Sequence, residues 1–407
     1  MSVKDVFLDL VSYSTGSDET TGTTPSTPGQ KVLGAHIVEH MKSIGIADAR
    51  MDEMGYVYGT IPATAERGTT VGFIAHMDTY GGVSGENIHP QVIENYDGGA
   101  IALGGSGLSL SPAAEPALLG HVGKTLITTD GTTLLGGDDK AAVTALMTMA
   151  EYFCSHPGVK HGPIQLCFTP DEEVGRGTEN FDVKRFGADL AYTVDGDALG
   201  GLSYETFNGI EAQLVIHGLS VHPGTAKGIM KNAVEIGGEF MAMLPALERP
   251  QFTEGREGYY HPFVFEGTVE RAAIRCLIRD HELDRWEERK AYVEKCVDEL
   301  NRRYGGGTVE LSYTNTYYSM REVVGKVPFM VDYARQAMRD CGVEPFDIAM
   351  RGGTDGSWIS QLGLPCPNIT AGYENAHGRF EFVPVQSMEK NVEILIQLME
   401  IYAGHKA

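Results

Sequence analysis

The chain has 407 residues, with 32 Lys and Arg residues against 55 Asp and Glu residues, a formal net charge of -23 at pH 7. This length suggests about two to three domains. The negative surplus repels phosphate backbones and anionic membranes, so we expect neither nucleic acid nor a membrane as a partner. The acidity itself fits either a solvated surface or carboxylates gathered around a cation.

The cysteine pattern and the apolar segments bear on location. The six cysteines are scattered and no two form a CxxC pair, which favours a reducing compartment over a disulfide scaffold. The first 16 residues lack the apolar core of a signal peptide. No uncharged apolar run reaches the roughly 18 residues of a membrane-spanning helix. We therefore expect a cytoplasmic protein.

Helical and strand patterns alternate along most of the chain. Four apolar runs end abruptly in ionisable residues, as buried strands do where they enter polar loops; they lie at 71–79, 163–173, 189–197 and 366–378. Amphipathic patterns predict helices at 31–45, 140–156 and 387–404, and a Thr/Ser/Pro/Gly-rich stretch at 15–29 predicts a loop. This alternation predicts an α/β fold with a mostly parallel sheet covered by helices. Ligands bind beyond the carboxyl ends of such strands, so the four strand ends point at one common rim.

The middle of the chain has a different pattern. Residues 207–316 read as strand, helix, strands, helix and strand, which is the outline of a compact α+β domain. A further helix is predicted near 328–341, where the first pattern resumes. We therefore predict a main domain made of 1–206 and 317–407, with 207–316 inserted into it.

His76 and Asp78 follow the first apolar run. Two residues apart on a strand, they point to the same side. The carboxylate could then hold the imidazole while the far ring nitrogen binds a metal. A structural or solvated role for the pair is the alternative.

Two acidic clusters follow later strands or glycines. Asp138 and Asp139 come after a Gly-Gly pair and before a helix, so either of them could be a helix N-cap instead of a metal ligand. Asp171, Glu172 and Glu173 follow a strand and a proline. Because close carboxylates repel one another, such a triplet either splays into solvent or surrounds a cation. In the second case one carboxylate can bind the cation while its neighbour accepts protons.

Together with the residues that end two further strands, these clusters make a possible ligand set. Two histidines and three carboxylates suit zinc or a similar divalent ion better than calcium, which prefers oxygen ligands alone. Five ligands exceed the need of one tetrahedral ion, which suggests two ions that share a carboxylate. The five residues are His76, Asp138, Glu173, Asp195 and His377.

Eight segments between residues 134 and 383 carry a family resemblance that runs nearly from end to end of the chain. In order they are LLGGDDKAA, FTPDEEVGRGTENFDV, AYTVDGD, VHPGTAKGIMKNA, IRDHE, MRGGTDGS, LGLPCPN and HGRFEFV. With them the chain resembles the peptidase T group of tripeptide aminopeptidases, within the co-catalytic di-zinc metallopeptidase superfamily. The resemblance implies a phosphorylase/hydrolase-like zinc peptidase domain with a ferredoxin-like inserted domain that forms a homodimer.

The resemblance also implies a metal arrangement. His76 and Asp195 would bind one Zn²⁺, Glu173 and His377 the other, and Asp138 would bridge the two ions of each subunit. Co²⁺ or Mn²⁺ could take the place of zinc. Asp138, two places before Lys140, matches an Asp-x-Lys signature, which leaves Asp139 to cap the helix or support the ligands from behind.

The remaining site residues follow from the same resemblance. Asp78 would orient the site behind His76, and Glu172 would act as general base and acid. His222 would reach the metal centre of the partner subunit and stabilise the oxyanion, with a turn residue before Pro223 as the alternative. Arg279 and Arg351 would contact the substrate; for Arg279 the alternative is an ion pair with Asp280 or another acid. The stretches MDTYGGVSG and GYENAHGRF differ in detail from the sequence that is usual in the family at these positions.

The implied activity is release of the N-terminal residue from short peptides, above all tripeptides. A hydroxide shared between two zinc ions would attack the amide, and Glu172 would transfer the proton to the leaving amine. A related dipeptidase or N-acyl amino-acid deacylase is the nearest alternative. A metal-binding scaffold without catalysis is the alternative from another class.

Overall fold

The structure is a computed structural model that describes residues 1–66 and 68–404. These residues form two units. The first comprises Met1–Tyr204, Glu322–Ile348 and the part of the chain from Thr354 onward, and the second comprises Glu205–Arg321 and Ala349–Gly353. The predicted insert, 207–316, lies inside the second unit, which extends a few residues further on both sides. No helix among the described residues has the length and apolar character needed to cross a membrane.

The helices of the described residues include the four predicted at 31–45, 140–156, 328–341 and 387–404, whose bounds differ from the predicted ones by three residues at most. In chain order they are α1 (Val3–Val11), α2 (Pro28–Ser43), α3 (Gly137–Ser155), α4 (Val183–Phe186), α5 (Ala233–Met243), α6 (Leu283–Tyr304), α7 (Arg321–Val324), α8 (Phe329–Asp340), α9 (Asp355–Gln361) and α10 (Val385–Gly404). Helix α2 begins earlier than predicted because Pro28 occupies its first turn, where proline needs no hydrogen-bond partner for its nitrogen.

The strands are short outside the second unit. In chain order they are β1 (Arg50–Met51), β2 (Val57–Ile61), β3 (Val71–His76), β4 (Gln91–Ile93), β5 (Ile101–Leu103), β6 (Leu108–Leu110), β7 (Leu126–Thr128), β8 (Ile164–Thr169), β9 (Leu190–Val194), β10 (Gly201–Thr206), β11 (Asn208–His217), β12 (Tyr259–Gly267), β13 (Arg271–Asp280), β14 (Val309–Tyr317), β15 (Phe346–Met350), β16 (Asn368–Ile369) and β17 (Phe382–Pro384).

The main sheet of the first unit has the order β1-β2-β8-β3-β9-β16-β10-β15. Its centre is parallel, from β8 through β3 and β9 to β16, whereas β1, β2 and β10 pair antiparallel towards the edges. All six residues of β3 are buried, as expected for a strand covered on both faces. Helix α3 packs on β3 and against α1 and α10. The predicted α/β fold class is confirmed.

The register of the parallel strands aligns their carboxyl ends. His76 at the end of β3 pairs with Thr169 at the end of β8, and Val194 at the end of β9 pairs with Ile369 at the end of β16. The loops that follow these four strands therefore leave the sheet at the same edge. That edge carries the ionisable residues predicted from the sequence.

The second unit is a four-stranded antiparallel sheet with the order β12-β13-β11-β14, against which α5 and α6 pack. The order of elements along the chain, β-α-β-β-α-β, is that of a ferredoxin-like domain. Its core is continuous and includes Phe240 and Trp286 from the two helices and Ile274 from the sheet. Dimerisation through this unit stays a prediction.

Candidate metal centre

The five predicted ligands lie at the carboxyl edge of the main sheet. In two groups, which share Asp138, the possible ligand atoms all lie within 4.8 Å of one another. One group is His76, Asp138, Asp139 and Asp195; the other is Asp138, Glu173 and His377. The structure therefore brings together residues that are up to about 300 positions apart in the chain.

Asp138, in the first turn of α3, stands between the two histidines. Its Oδ1 is 3.0 Å from Nε2 of His76, and its Oδ2 is 3.1 Å from Nε2 of His377. Burial alone would raise the pKa of Asp138, but hydrogen bonds from the two imidazoles lower it below the usual value of an aspartate. A carboxylate that presents one oxygen to each histidine has the geometry of a bridging ligand.

The half of the centre around His76 is buried. The His76 side chain is 3% exposed, and its Nδ1 lies 3.1 Å from the backbone carbonyl of Asp78 and 3.4 Å from the carboxylate of the same residue. Burial disfavours the imidazolium, but the bonds to Asp138 and Asp78 prevail and raise the pKa of His76 well above its usual value. The Asp78 carboxylate also accepts the backbone N–H groups of Glu172 at 3.0 Å and Glu173 at 3.1 Å. Asp78 thus connects the end of β3 with the loop after β8.

The half around His377 is open. The His377 side chain is 45% exposed, and its Nε2 lies 2.9 Å from Oε2 of Glu173. Hydrogen bonds to Asp138 and Glu173 raise the pKa of His377 to about 11. The residue has a φ of 64°, in the left-handed region that residues other than glycine seldom adopt. The ring of Tyr80 stacks on the imidazole, with 4.5 Å between ring centroids and 7° between planes.

Asp139 does not cap the helix. The residue before α3 is Gly136, with a φ of 81° and no side-chain cap. The Asp139 carboxylate instead accepts the backbone N–H of His76 at 3.1 Å through Oδ2. The capping alternative is wrong because this side chain points at the end of β3, away from the free N–H groups of α3.

The three consecutive acids after β8 have different surroundings. Asp171, with a φ of 57°, is buried and accepts the N–H of Ser26 and the amide of Gln30, each at 2.8 Å. It is neither solvated nor part of the ligand groups. The Glu173 side chain is 4% exposed and faces His377. Burial raises the pKa of Glu172 well above the usual value of a glutamate, and the negative charges of nearby carboxylates add to the shift.

The donor set fits a pair of divalent cations. Oδ1 of Asp139 and Oε1 of Glu173 are buried, and neither has a hydrogen-bond partner in the described part of the chain. A buried polar atom without a partner is the expected sign of an ion or water that completes its coordination. Burial and neighbouring acids raise the pKa values of Asp139 and Asp195, so cations would relieve a cost that these groups now bear. Imidazole and carboxylate together suit zinc and similar metals.

Comparison with known proteins assigns the chain to a family. Residues 131–401 match the group described as peptidase family M20/M25/M40. Peptidase T of Caldanaerobacter subterraneus subsp. tengcongensis is 48% identical over 402 residues, which is 98% of each chain. Peptidase T of Bacillus subtilis strain 168 is 48% identical over 394 residues, 96% of each chain. The chain belongs to peptidase family M20/M25/M40.

A solved structure supports the same fold. The aminopeptidase PepT of Bacillus cereus ATCC 10987 superimposes with a TM-score of 0.78 over 99% of this chain and 98% of that one, at 21% sequence identity. The expected family resemblance and the expectation of a peptidase T-like enzyme are thus confirmed. The buried His and Asp cluster of this M20/M25/M40 peptidase lies where a metal could bind.

Glu381 supports the centre and did not emerge as a site residue from the sequence. It directly precedes β17, and its buried carboxylate accepts the N–H groups of Leu135 and Gly136 at 2.8 Å and of Asp138 at 2.9 Å. Burial raises the pKa of Glu381 to about 7. The only local sign of a buried role for this residue is that it stands between two phenylalanines in RFEFV. Its partners lie more than 240 positions away.

Two more side chains of the first unit support the centre: Tyr373 contacts a ligand, and Lys140 anchors the helix that carries Asp138. The Tyr373 hydroxyl donates to Oδ1 of Asp195 at 2.7 Å and accepts the N–H of Gly196 at 2.8 Å. Lys140 is fully buried, donates to the carbonyl of Tyr13 at 2.7 Å, and has a pKa lowered by burial to about 7. The lysine of the Asp-x-Lys signature thus ties α3 to the segment after α1.

The three predicted substrate contacts belong to the second unit. His222 is exposed and begins a short 3-10 helix, where its Nδ1 accepts the N–H of Gly224 at 3.1 Å. Arg279 donates to the carbonyl of Arg351 at 3.2 Å. Asp280 binds Arg289 instead, and Arg279 forms no ion pair with any acid among the described residues, which speaks against the ion-pair alternative. Arg351 donates to backbone carbonyls of the segment 253–257.

Proposed function

We propose that the protein is a zinc-dependent aminopeptidase that removes the N-terminal residue from tripeptides. The observation that carries the proposal is the placement of Asp138, with one carboxylate oxygen 3.0 Å from His76 and the other 3.1 Å from His377. The likeness to enzymes named peptidase T over 98% of the chain supports the substrate class.

In this proposal each ion has two ligands of its own and shares a third. His76 and Asp195 would hold one Zn²⁺, Glu173 and His377 would hold the other, and Asp138 would be shared by both. Two cations bound there supply a water of lowered pKa and polarise the scissile carbonyl. Two residues behind the ligands hold them in place. Asp78 orients His76, and Tyr373 orients Asp195.

Glu172 is the proton-transfer residue of the proposal. Its backbone N–H donates to the Asp78 carboxylate at 3.0 Å. Glu172 is the neighbour of Glu173 in the chain, but its own carboxylate belongs to neither ligand group. Burial raises the pKa of Glu172, and nearby cations would lower it again. A carboxyl poised in that range can accept a proton and later pass it to the leaving amine.

The surroundings of the centre suit a peptide with a free amino terminus. A cavity of about 480 Å³ is lined by Asp138, Asp197, Glu374 and His377, among others. Three of these four side chains are acidic, and a field of this sign attracts an ammonium group. An N-acyl group lacks that charge, which favours an aminopeptidase over a deacylase.

The test is to measure zinc content and hydrolysis on the same preparation. Tripeptides, dipeptides and N-acyl amino acids are offered in parallel with zinc present. Cleavage of tripeptides at the first bond is expected; activity confined to dipeptides or to acylated amino acids would replace the proposal with the corresponding alternative.

Glu172→Ala separates catalysis from metal binding. We expect activity to fall by about 10²–10⁴-fold while two zinc ions per chain remain bound. Glu172→Gln is the matched variant of equal size and should behave in the same way. Full activity in either variant refutes the assigned base, and zinc lost together with activity makes Glu172 a ligand.

The contacts of His222, Arg279 and Arg351 with substrate belong to the same proposal, as do the homodimer and the cytoplasmic location. The three residues are proposed as substrate contacts because they lie in the segments VHPG, IRDHE and MRGGTDGS, which resemble the peptidase T group. Each can be tested by substitution, with a rise in KM for tripeptides as the expected result.

A further inference from the structure

The two histidines of the centre are supported in different ways. A histidine that binds a metal usually donates its other ring nitrogen to a carboxylate or carbonyl, which fixes the orientation of the ring. His76 has this support from Asp78. No described residue forms a hydrogen bond with Nδ1 of His377, and the contacts of its ring are Asp138 and Glu173 at Nε2 and the stacked ring of Tyr80.

The stack with Tyr80 can take the place of the missing hydrogen bond. The two rings are nearly parallel, at 7° and 4.5 Å between centroids, so the phenol restricts the plane of the imidazole. The His377 side chain is 45% exposed, and its Nδ1 has no hydrogen-bond partner among the described residues that would fix the plane of the ring. Tyr80 also lines a cavity of about 770 Å³ together with Glu173, next to the same metal position.

The glycine two residues further on accommodates the Tyr80 ring. A Cβ at Gly82 would lie 2.4 Å from Cζ of Tyr80, which is far too close for two carbon atoms. The ring therefore rests against the loop backbone at this position. Tyr80 and Gly82 both belong to MDTYGGVSG, a stretch that differs from the sequence usual in the family.

We infer that Tyr80 is a positioning residue for His377 and so determines how tightly the exposed metal position binds its ion. The inference rests on the proposed function, because it assumes that His377 is a ligand. It makes the two metal positions unequal: the histidine of one is oriented by the backbone carbonyl and the carboxylate of Asp78, and the histidine of the other by an aromatic stack at the surface.

The experiment is calorimetric titration of the metal-free, full-length protein with Zn²⁺. Wild type should bind two ions. In Tyr80→Ala one of the two affinities should fall by about 10–100-fold, as for other residues that orient a metal ligand, while the other stays unchanged. His377→Ala identifies the weakened position, since it should abolish the same binding event.

Two further variants separate the stack from other effects. Tyr80→Phe keeps the ring without the hydroxyl, and both affinities should equal those of wild type. Gly82→Ala keeps Tyr80 but displaces its ring, so it should weaken the same ion as Tyr80→Ala does. Gly85→Ala is the control in this loop, because its Cβ would meet the nearest atoms at 3.5 Å or more.

Activity gives a second readout. With Tyr80→Ala, hydrolysis should need a higher zinc concentration, and kcat at saturating zinc should recover.

Unchanged affinities in Tyr80→Ala overturn the inference and leave the proposed function intact. Equal loss at both positions also overturns it, because Tyr80 would then support the fold. A wild-type protein that binds no zinc refutes the proposed function itself.

Discussion

The two halves of the candidate metal centre use the same kinds of residue in opposite surroundings. His76 ends a central strand, is 3% exposed, and is held by Asp78 and Asp138. His377 lies in a loop, is 45% exposed, and has a left-handed backbone. Asp138 contacts both. One half is therefore an extension of the protein core, whereas the other is assembled at the surface around a shared carboxylate.

The largest expected difference between the halves is in stability. In metal-free protein, His76→Ala should lower the free energy of unfolding by about 3–5 kcal/mol, because it leaves buried carboxylates without their cationic partner. His377→Ala, the matched variant, should change it far less, since water reaches that side chain. Urea unfolding in the presence of a chelator measures both values. Equal losses would remove the distinction between a buried and an exposed half.

The pH dependence of zinc binding tests both halves together. The carboxylates around them raise the pKa of His76 well above its usual value and that of His377 to about 11, which favours the protonated form of both imidazoles in the metal-free protein. Binding must expel these protons, and affinity should rise with pH by as much as about 100-fold per unit for full loading near neutrality. Calorimetry in buffers of different ionisation enthalpy should show that zinc binding releases protons. Release that does not change in His377→Ala would contradict the assignment.

Asp78→Asn tests the connection that the buried half provides. An amide offers one oxygen where the carboxylate accepts the N–H groups of both Glu172 and Glu173. We expect zinc affinity to fall by about 10–100-fold, first at the His76 position. Asp171→Asn is the control: it weakens the anchoring of the same loop to Ser26 and Gln30 and should lower stability without a selective loss of zinc. The opposite pattern would argue against Asp78 as the orienting residue.

Glu381→Gln should have the smallest effect. The amide oxygen keeps part of the bonding to the N–H groups of Leu135, Gly136 and Asp138, and the free energy of unfolding should fall by about 1 kcal/mol. Glu389→Gln, at an exposed position of α10, should leave it unchanged. Identical urea midpoints for wild type and Glu381→Gln would show that the loop before α3 holds without this carboxylate.

Local patterns predicted much of the site because each ligand follows an apolar strand or a glycine pair. An apolar run that stops at His76 or before Asp195 marks the end of a buried strand, and parallel strands bring such ends to one edge. The role of Asp139 could not be decided in this way. Capping and support of a ligand both require an aspartate at the start of a helix, and only the direction of the side chain separates the two.

The supporting residues were hidden for a different reason. Glu381, Tyr373 and Tyr80 act on partners more than 170 positions away in the chain, and nothing in their own neighbourhood indicates which partner they meet. Arg279 shows the same limit: Asp280 is its neighbour in sequence, but on a strand adjacent side chains point to opposite faces, and Asp280 pairs with Arg289.

The sequence by itself determined the α/β class, the inserted β-α-β-β-α-β pattern, the acidic character and the set of residues able to hold two cations, because periodicity and residue chemistry are local properties. The tertiary structure alone decided that Asp138 faces both histidines, that Asp171 turns away to Ser26, and that an aromatic ring lies on His377. These are distances between distant parts of the chain, and they depend on the register of strands and the course of loops, which no short stretch of residues encodes.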